Sequence, residues 1–273
     1  MLSPTKLKEL CHNYDLTPSK KYGQNYLVSD APIKKMLEAA EIKKSDTVVE
    51  IGPGFGILTF ALAEQAGEVI AFEIERKLEE YWEENAKENL EIIYGNALKQ
   101  LPDYKIKNDN YKLIANLPYQ ITSHVLRTIL ELENKPESIT IMVQKEVAER
   151  ICSKPGEMSL LAVSVQYYGE PKIVSRVNKG NFWPEPKVDS AILYIKTREH
   201  EKSEIKDDEF FFRVVKAGFV NKRKQLWRNL VVGLKVESNM VKKALQKVCK
   251  NEKIRAEELS VEDWGKIVKI MRK

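Results

Sequence analysis

Two stretches of this chain carry residue types at spacings that could do chemistry. The first is residues 47–56, TVVEIGPGFG, where Val48, Val49 and Ile51 run into Gly52, Gly54 and Gly56. It reads as a buried strand entering a turn with no Cβ atoms between its backbone and a ligand. Glycines placed after a strand and before a helix let the backbone approach a nucleotide-like molecule closely. The spacing is G-x-G-x-G rather than G-x-G-x-x-G, so an ordinary tight strand-to-helix turn stays open on the motif alone. Glu73 ends the apolar run EVIAFE, 21 residues beyond Gly52. That is close to the roughly 20-residue offset at which an acidic side chain meets ribose hydroxyls. Each feature is weak alone. Together, at two strand ends, they point to a nucleotide-like cofactor.

The second stretch is residues 111–119, YKLIANLPY, another apolar run that ends in Asn116-Leu117-Pro118-Tyr119. This tetrad suits an amine nucleophile. The exocyclic amine of a base is a poor nucleophile because its lone pair is delocalised into the ring. The Asn116 side-chain oxygen and the Leu117 carbonyl can both accept hydrogen bonds from it, favouring a pyramidal nitrogen aimed at a methyl sulfonium. Pro118 stiffens the turn and brings no backbone donor. Tyr119 offers a flat face for a base. A sulfonium is already an activated leaving group, so no general base is required. Asn and Pro also occur in plain strand-ending turns, which is the alternative.

Other candidates lie further along. Phe182 could clamp the opposite face of the base, while Trp183 reads as a core lid. The stretch 213–228, RVVKAGFVNKRKQLWR, holds six Lys/Arg and no acidic residue in sixteen positions, with Phe219 and Trp227 interleaved. Solvated helix faces are the usual meaning of such a run. Here the missing carboxylates, in a chain with 31% charged residues, favour phosphate contacts. Lys20, Lys21, Lys179 and Lys187 could extend that track. His12, His124 and His200 are scattered and receive no role.

These residues need a scaffold. Strands are expected at 47–51, 68–73, 91–95, 111–115 and 138–143. Helices are expected between them, including 31–41, an acidic one at 75–88, and one carrying Val125, Leu126, Ile129 and Leu130 inward. Alternating β and α elements predict a parallel doubly wound sheet. Strands at 171–177 and 188–195 are joined too briefly for a helical crossover, so one of them is expected to be antiparallel. Residues 159–168 fit strand or helix equally. The charged segment 197–209 reads as a linker, and 208–273 as short helices, for example 209–220 and 238–249, with Trp264 inside. Cys11, Cys152 and Cys249 are odd in number and far apart, which argues against disulfides and a metal site and for a reducing cytoplasm. No apolar run approaches the roughly 18 residues of a membrane helix, and residues 1–10 lack the apolar core of a secretory signal.

With these residues in hand, the chain resembles the small-subunit ribosomal RNA adenine dimethyltransferase family over nearly its whole length. The shared segments are KYGQNYL at 21–27, VVEIGPGFGILT at 48–59, FEIERKL at 72–78, GNAL at 95–98, NLPY at 116–119, NFWPEPKVDSA at 181–191 and AGFVNKRKQLWRNL at 217–230. The resemblance implies a Rossmann-like methyltransferase fold, a mostly parallel seven-stranded sheet with one antiparallel strand, over about 1–200. A small helical RNA-binding domain over 208–273 would follow. It implies S-adenosylmethionine as donor. The acceptors would be two adjacent adenosines near the 3′ end of 16S rRNA, dimethylated within an immature small subunit by a cytoplasmic monomer. By position, the donor pocket would be Asn25, Leu27, Gly52, Glu73, Asn96 and Asn116, and the target pocket Asn116, Leu117, Tyr119 and Phe182. RNA contacts would come from Lys20, Lys21, Lys216, Lys222, Arg223, Lys224 and Arg228. The family usually has Asp where this chain has Asn96, which keeps an acceptor oxygen for the adenine amine but loses charge.

Three other functions remain in view. A methyltransferase acting on 23S rRNA shares the glycine turn and an Asn-Pro-Tyr motif, but the FWPEPKVDSA segment and the longer basic C-terminal unit favour the small subunit. A non-catalytic assembly factor would have let the tetrad decay, and Asn116 and Tyr119 are both present. A small-molecule methyltransferase would leave the basic stretch unexplained.

Overall fold

The computed structural model describes residues 2–18, 25–106, 110–198, 208–251 and 253–272. It divides into two compact units, one of Met1–Ala148 and Pro171–Thr197, the other of Glu149–Glu170 and Arg198–Lys273. The strands are β1 (Tyr26–Leu27), β2 (Thr47–Ile51), β3 (Glu68–Glu73), β4 (Leu90–Tyr94), β5 (Tyr111–Asn116), β6 (Ser138–Gln144), β7 (Gly169–Val177), β8 (Phe182–Trp183) and β9 (Ser190–Thr197). The helices are α1 (Pro4–Asn13), α2 (Asp30–Ala40), α3 (Thr59–Gln65), α4 (Glu79–Asn85), α5 (Ala97–Gln100), α6 (Thr122–Leu130), α7 (Lys145–Ile151), α8 (Leu160–Tyr168), α9 (Asp208–Phe219), α10 (Leu226–Leu234), α11 (Ser238–Cys249) and α12 (Val261–Met271).

Seven strands form one sheet in the order β4-β3-β2-β5-β6-β9-β7. Neighbours from β4 to β6 pair in parallel, and β9 runs antiparallel to β6. All five residues of β2 are buried, as are the first five of β5. A strand covered on both faces needs such a continuous apolar run rather than an alternating one. The chain leaves β2 toward β3, while β5 lies on the other side of β2. That reversal opens a crevice at the carboxyl ends of β2 and β5, where ligands of open α/β sheets bind. At the other end of β5, the buried Lys112 ammonium meets Asp46 at 2.8 Å and donates to the Glu41 carbonyl at 2.8 Å.

The second unit is helical. In α9, Phe211, Val214, Val215 and Gly218 recur at helical spacing and are buried. Trp264 of α12 is fully buried. The stretch 159–168, ambiguous by pattern, is helix α8, and Ser159 caps it by accepting from the Ala162 N–H at 3.2 Å. This corrects the domain boundary read from the sequence. Residues 149–170, expected within a first domain of 1–200, belong to the helical unit. Tertiary contacts within that unit accompany the placement. Tyr167 and Tyr168 both donate to the Asp208 carboxylate, at 2.6 and 3.1 Å, and Tyr167 stacks on Phe211 at 4.3 Å. The acidic helix expected at 75–88 is shorter, a single 3-10 turn at Arg76–Leu78 followed by α4. Of the proposed linker 197–209, residues 199–207 lie outside the described residues, as does His200.

Glu50 of β2 is an oddity in this core. It is 1% exposed, and its Oε2 has no hydrogen-bond partner among the described residues. Burial pushes its carboxyl up to about 8, and the nearby Glu73 carboxylate adds to the rise. A carboxyl whose folded value lies above its unfolded value favours folding fully at low pH. That contribution is lost as pH rises through about 8. Glu50→Gln should therefore gain thermal stability over the parent as pH rises from 5 to 9. Parallel melting curves across that range would show that Glu50 is not buried in its neutral form.

Candidate active site

The glycine turn after β2 is shaped by positive backbone angles. Gly52 has φ +76, and a Cβ added there would meet nothing within 4 Å. Open space therefore lies against its backbone, a cradle that an L side chain would intrude upon. Gly54 has φ +55 and lies under an aromatic ring, 3.2 Å from its would-be Cβ to Tyr26 Cε1. Larger residues would push that ring away.

Tyr26 belongs to a short strap that ties three parts of the site together. Tyr26 and Leu27 pair antiparallel with Trp183 and Phe182, so β1 and β8 form their own two-stranded sheet. The Val28 N–H donates to the Asn181 carbonyl at 2.8 Å. The Tyr26 ring stacks on Trp183 at 6.4 Å and leans on Phe55 at 5.4 Å. Burial raises its phenol above the ordinary range, with Cys11 and the Glu73 carboxylate adding to the rise. One residue earlier, the Asn25 carbonyl accepts from Asn116 Nδ2 at 3.2 Å. The strap thus bridges the glycine turn, the loop at 181–183 and the end of β5.

That last hydrogen bond orients Asn116. Only the amide nitrogen can donate to a carbonyl, so the Asn116 Oδ1 is turned away from Asn25. Leu117 is buried, and its N–H donates to the Met142 carbonyl at 3.3 Å, fixing the loop to β6. Tyr119 is half-buried, and its hydroxyl shares a 2.7 Å hydrogen bond with Ser190 Oγ of β9. Phe182 is 4% exposed and belongs to the same apolar core as Leu27, Phe55 and Ile192. Only a sliver of its ring reaches solvent.

Glu73 ends β3 beside the glycine turn. Its Oε2 accepts from the Gly54 N–H at 3.0 Å and its Oε1 from the Glu75 N–H at 2.8 Å. Burial raises this carboxyl, and those backbone donors work against the rise. Each oxygen keeps a second lone pair for a hydroxyl. Asn96 is exposed and caps α5, its Oδ1 accepting from the Leu98 N–H at 2.9 Å.

Among the basic residues singled out, Lys216, Lys222, Arg223, Lys224 and Arg228 are exposed on the helical unit. Lys20 and Lys21 lie outside the described residues. Trp227, half-buried in α10, gathers two cations, with Lys242 at 4.6 Å and Arg228 at 5.3 Å from its ring.

Sequence reasoning missed two contributors. Tyr26 received no role from the sequence, yet it roofs Gly54. Ser190 carried no signal, because a serine in a strand gives no hint of a partner 71 residues away. Trp183, read as a core lid, is partly buried against the core and also stacks on the strap. None of the three cysteines is in a disulfide, and no group of His, Cys, Asp or Glu among the described residues could hold a metal ion. No helix among the described residues is long and apolar enough to cross a membrane.

Comparison with known proteins identifies the family and the fold. A protein-family model described as ribosomal RNA adenine dimethylase matches residues 16–273. Ribosomal RNA small subunit methyltransferase A of Dehalococcoides mccartyi is 43% identical over 95% of this chain and 90% of its own length. The Clostridium botulinum protein of the same name is 38% identical over 95% and 96%. Among solved structures, a dimethyladenosine transferase from Plasmodium falciparum superposes with TM-score 0.74 at 25% identity, covering 88% of this chain and 95% of its own. The 23S rRNA methyltransferase ErmE gives 0.71 at 26% identity, covering 91% and 100%. The architecture is thus the Rossmann-like fold of S-adenosylmethionine-dependent methyltransferases with a helical C-terminal region, and the chain belongs to the ribosomal RNA adenine dimethylase family.

Proposed function

We propose that this protein dimethylates the exocyclic amines of two adjacent adenosines near the 3′ end of 16S rRNA. It would act as a monomer on immature small subunits in the cytoplasm. The small-subunit target rests on the names of relatives 38–43% identical over 95% of the chain. Three cysteines outside any disulfide suit a reducing compartment. The observation that carries the reading is the hydrogen bond from Asn116 Nδ2 to the Asn25 carbonyl, which frees Oδ1 to accept from an amine.

The residues around the glycine turn fit S-adenosylmethionine, which when bound supplies a methyl group on a positively charged sulfur. The open backbone at Gly52 would meet its amino-acid end. Glu73, already held by two backbone donors, would take the ribose hydroxyls. Asn96 would face the adenine, while Asn25 and Leu27 close the pocket from the strap. On the acceptor side, Asn116 Oδ1 and the Leu117 carbonyl would each take one N–H of the target amine and turn its lone pair toward the methyl carbon. Tyr119 would stack on the base, with Phe182 as the opposite wall. The spent amine proton leaves to solvent.

The helical unit would grip RNA phosphates through Lys216, Lys222, Arg223, Lys224 and Arg228. A second reading, methylation of large-subunit rRNA, is favoured only by the likeness to ErmE. Primer extension on rRNA from a deletion strain separates the two, with the lost modification expected on the small subunit.

Three outcomes are expected. Asn116→Ala should reduce methyl transfer to undermethylated small subunits by about 10²-fold or more, the scale of losing a donor or acceptor that acts on the reacting atoms. Persistent transfer would rule the mechanism out. Asn96→Asp should change S-adenosylmethionine affinity modestly by calorimetry, because the cap oxygen survives. Complete loss of binding would mean the residue has been given the wrong role. Replacing Lys222, Arg223 and Lys224 together by Ala should weaken binding to small-subunit rRNA. It should also flatten the slope of log affinity against log salt by about 2–3, roughly one per lost phosphate contact. An unchanged slope would move the RNA contacts elsewhere.

A further inference from the structure

Tyr119 and Phe182 stand on separate segments, and β9 reaches both of them. Ser190, the first residue of β9, is fully buried and shares its 2.7 Å hydrogen bond with the Tyr119 hydroxyl. The preceding residue, Asp189, accepts the Lys179 N–H on its Oδ1 at 3.0 Å. Lys179 opens the single 3-10 turn, Lys179–Asn181, that delivers Phe182. The Asp189 carbonyl also accepts the Lys145 N–H at 3.0 Å, which pins the start of β9 to the start of α7. Ser190 itself sits opposite Gln144 in the β6–β9 register.

We propose that Ser190 is a positioning residue that fixes the plane of the Tyr119 ring, so that β9 holds that ring in register with the wall at Phe182. The proposal rests on Tyr119 being the stacking platform. A tyrosine ring attached only through its Cα–Cβ and Cβ–Cγ bonds can swing. Tying its hydroxyl to a fully buried group on a sheet strand removes that freedom before substrate arrives. Pre-organisation of this kind matters more at the second methylation. The acceptor nitrogen then carries a methyl group, and fewer placements of the base keep its lone pair aimed along the transfer line. Ser190 touches neither reacting atom and acts through Tyr119.

The test is a double-mutant cycle between Tyr119→Phe, which keeps the ring and removes the hydroxyl, and Ser190→Ala, with Tyr119→Ala as control. The readouts are kcat on undermethylated small subunits, the ratio of monomethyl to dimethyl product, and S-adenosylmethionine affinity by calorimetry. Each single variant should lower kcat by about 3- to 10-fold, the worth of one hydrogen bond. Each should raise the monomethyl share and leave cofactor affinity within about twofold. The double variant should be no worse than either single one, because both remove the same bond. A wild-type rate and product ratio for Ser190→Ala, or losses that simply multiply, would overturn the positioning role. If Tyr119→Ala itself transfers at the wild-type rate, the ring is not a platform and the proposal falls with that reading. A merely structural serine would move melting temperature without moving the product ratio.

Discussion

The site depends on one hydrogen bond, from the Asn116 side-chain nitrogen to the Asn25 carbonyl at 3.2 Å. An amide has a donor end and an acceptor end, and a backbone carbonyl can engage only the donor end. The bond therefore decides which atom Asn116 offers to the cleft. It also anchors the strap at residues 25–28, which pairs with β8 and roofs the glycine turn through Tyr26. That contact joins the strap to the end of β5.

The sheet makes that contact possible. β2 and β5 are parallel neighbours, paired as far as Val49 and Leu113, so Gly52 and Asn116 both lie at the carboxyl ends of adjacent strands. Two acidic side chains crowd the same end, Glu50 within β2 and Glu73 at the end of β3, and burial raises both. Glu73 is held by backbone N–H donors from Gly54 and Glu75, whereas Glu50 Oε2 goes without a partner among the described residues. Burial makes a charged carboxylate costly in such a place unless donors hold it, as they hold Glu73. The glycine turn carries a related cost, since Gly52 and Gly54 adopt angles that other residues rarely accept.

Much of this was legible in the sequence because it is local. Continuous apolar runs gave β2, β3 and β5 with nearly correct bounds, and the glycines, Glu73 and the Asn-Leu-Pro-Tyr tetrad sit where runs of that kind end. What was not legible is long-range. The pairing of residues 26–27 with 182–183 joins two segments too short to carry a strand signal. The bond from Tyr119 to Ser190 links two polar groups whose types alone suggest nothing. The placement of 149–170 in the helical unit goes with tyrosines 167 and 168 meeting Asp208, a tertiary choice that periodicity cannot encode.

The most direct measurement is a crystal structure of the protein with S-adenosylhomocysteine and adenosine monophosphate. The expected result puts the cofactor against Gly52 and Glu73. The adenine amine should lie within hydrogen-bond distance of Asn116 Oδ1 and the Leu117 carbonyl, its ring on Tyr119. A purine bound with its amine turned away from Asn116, or a cofactor seated anywhere but the crevice between β2 and β5, would contradict the account.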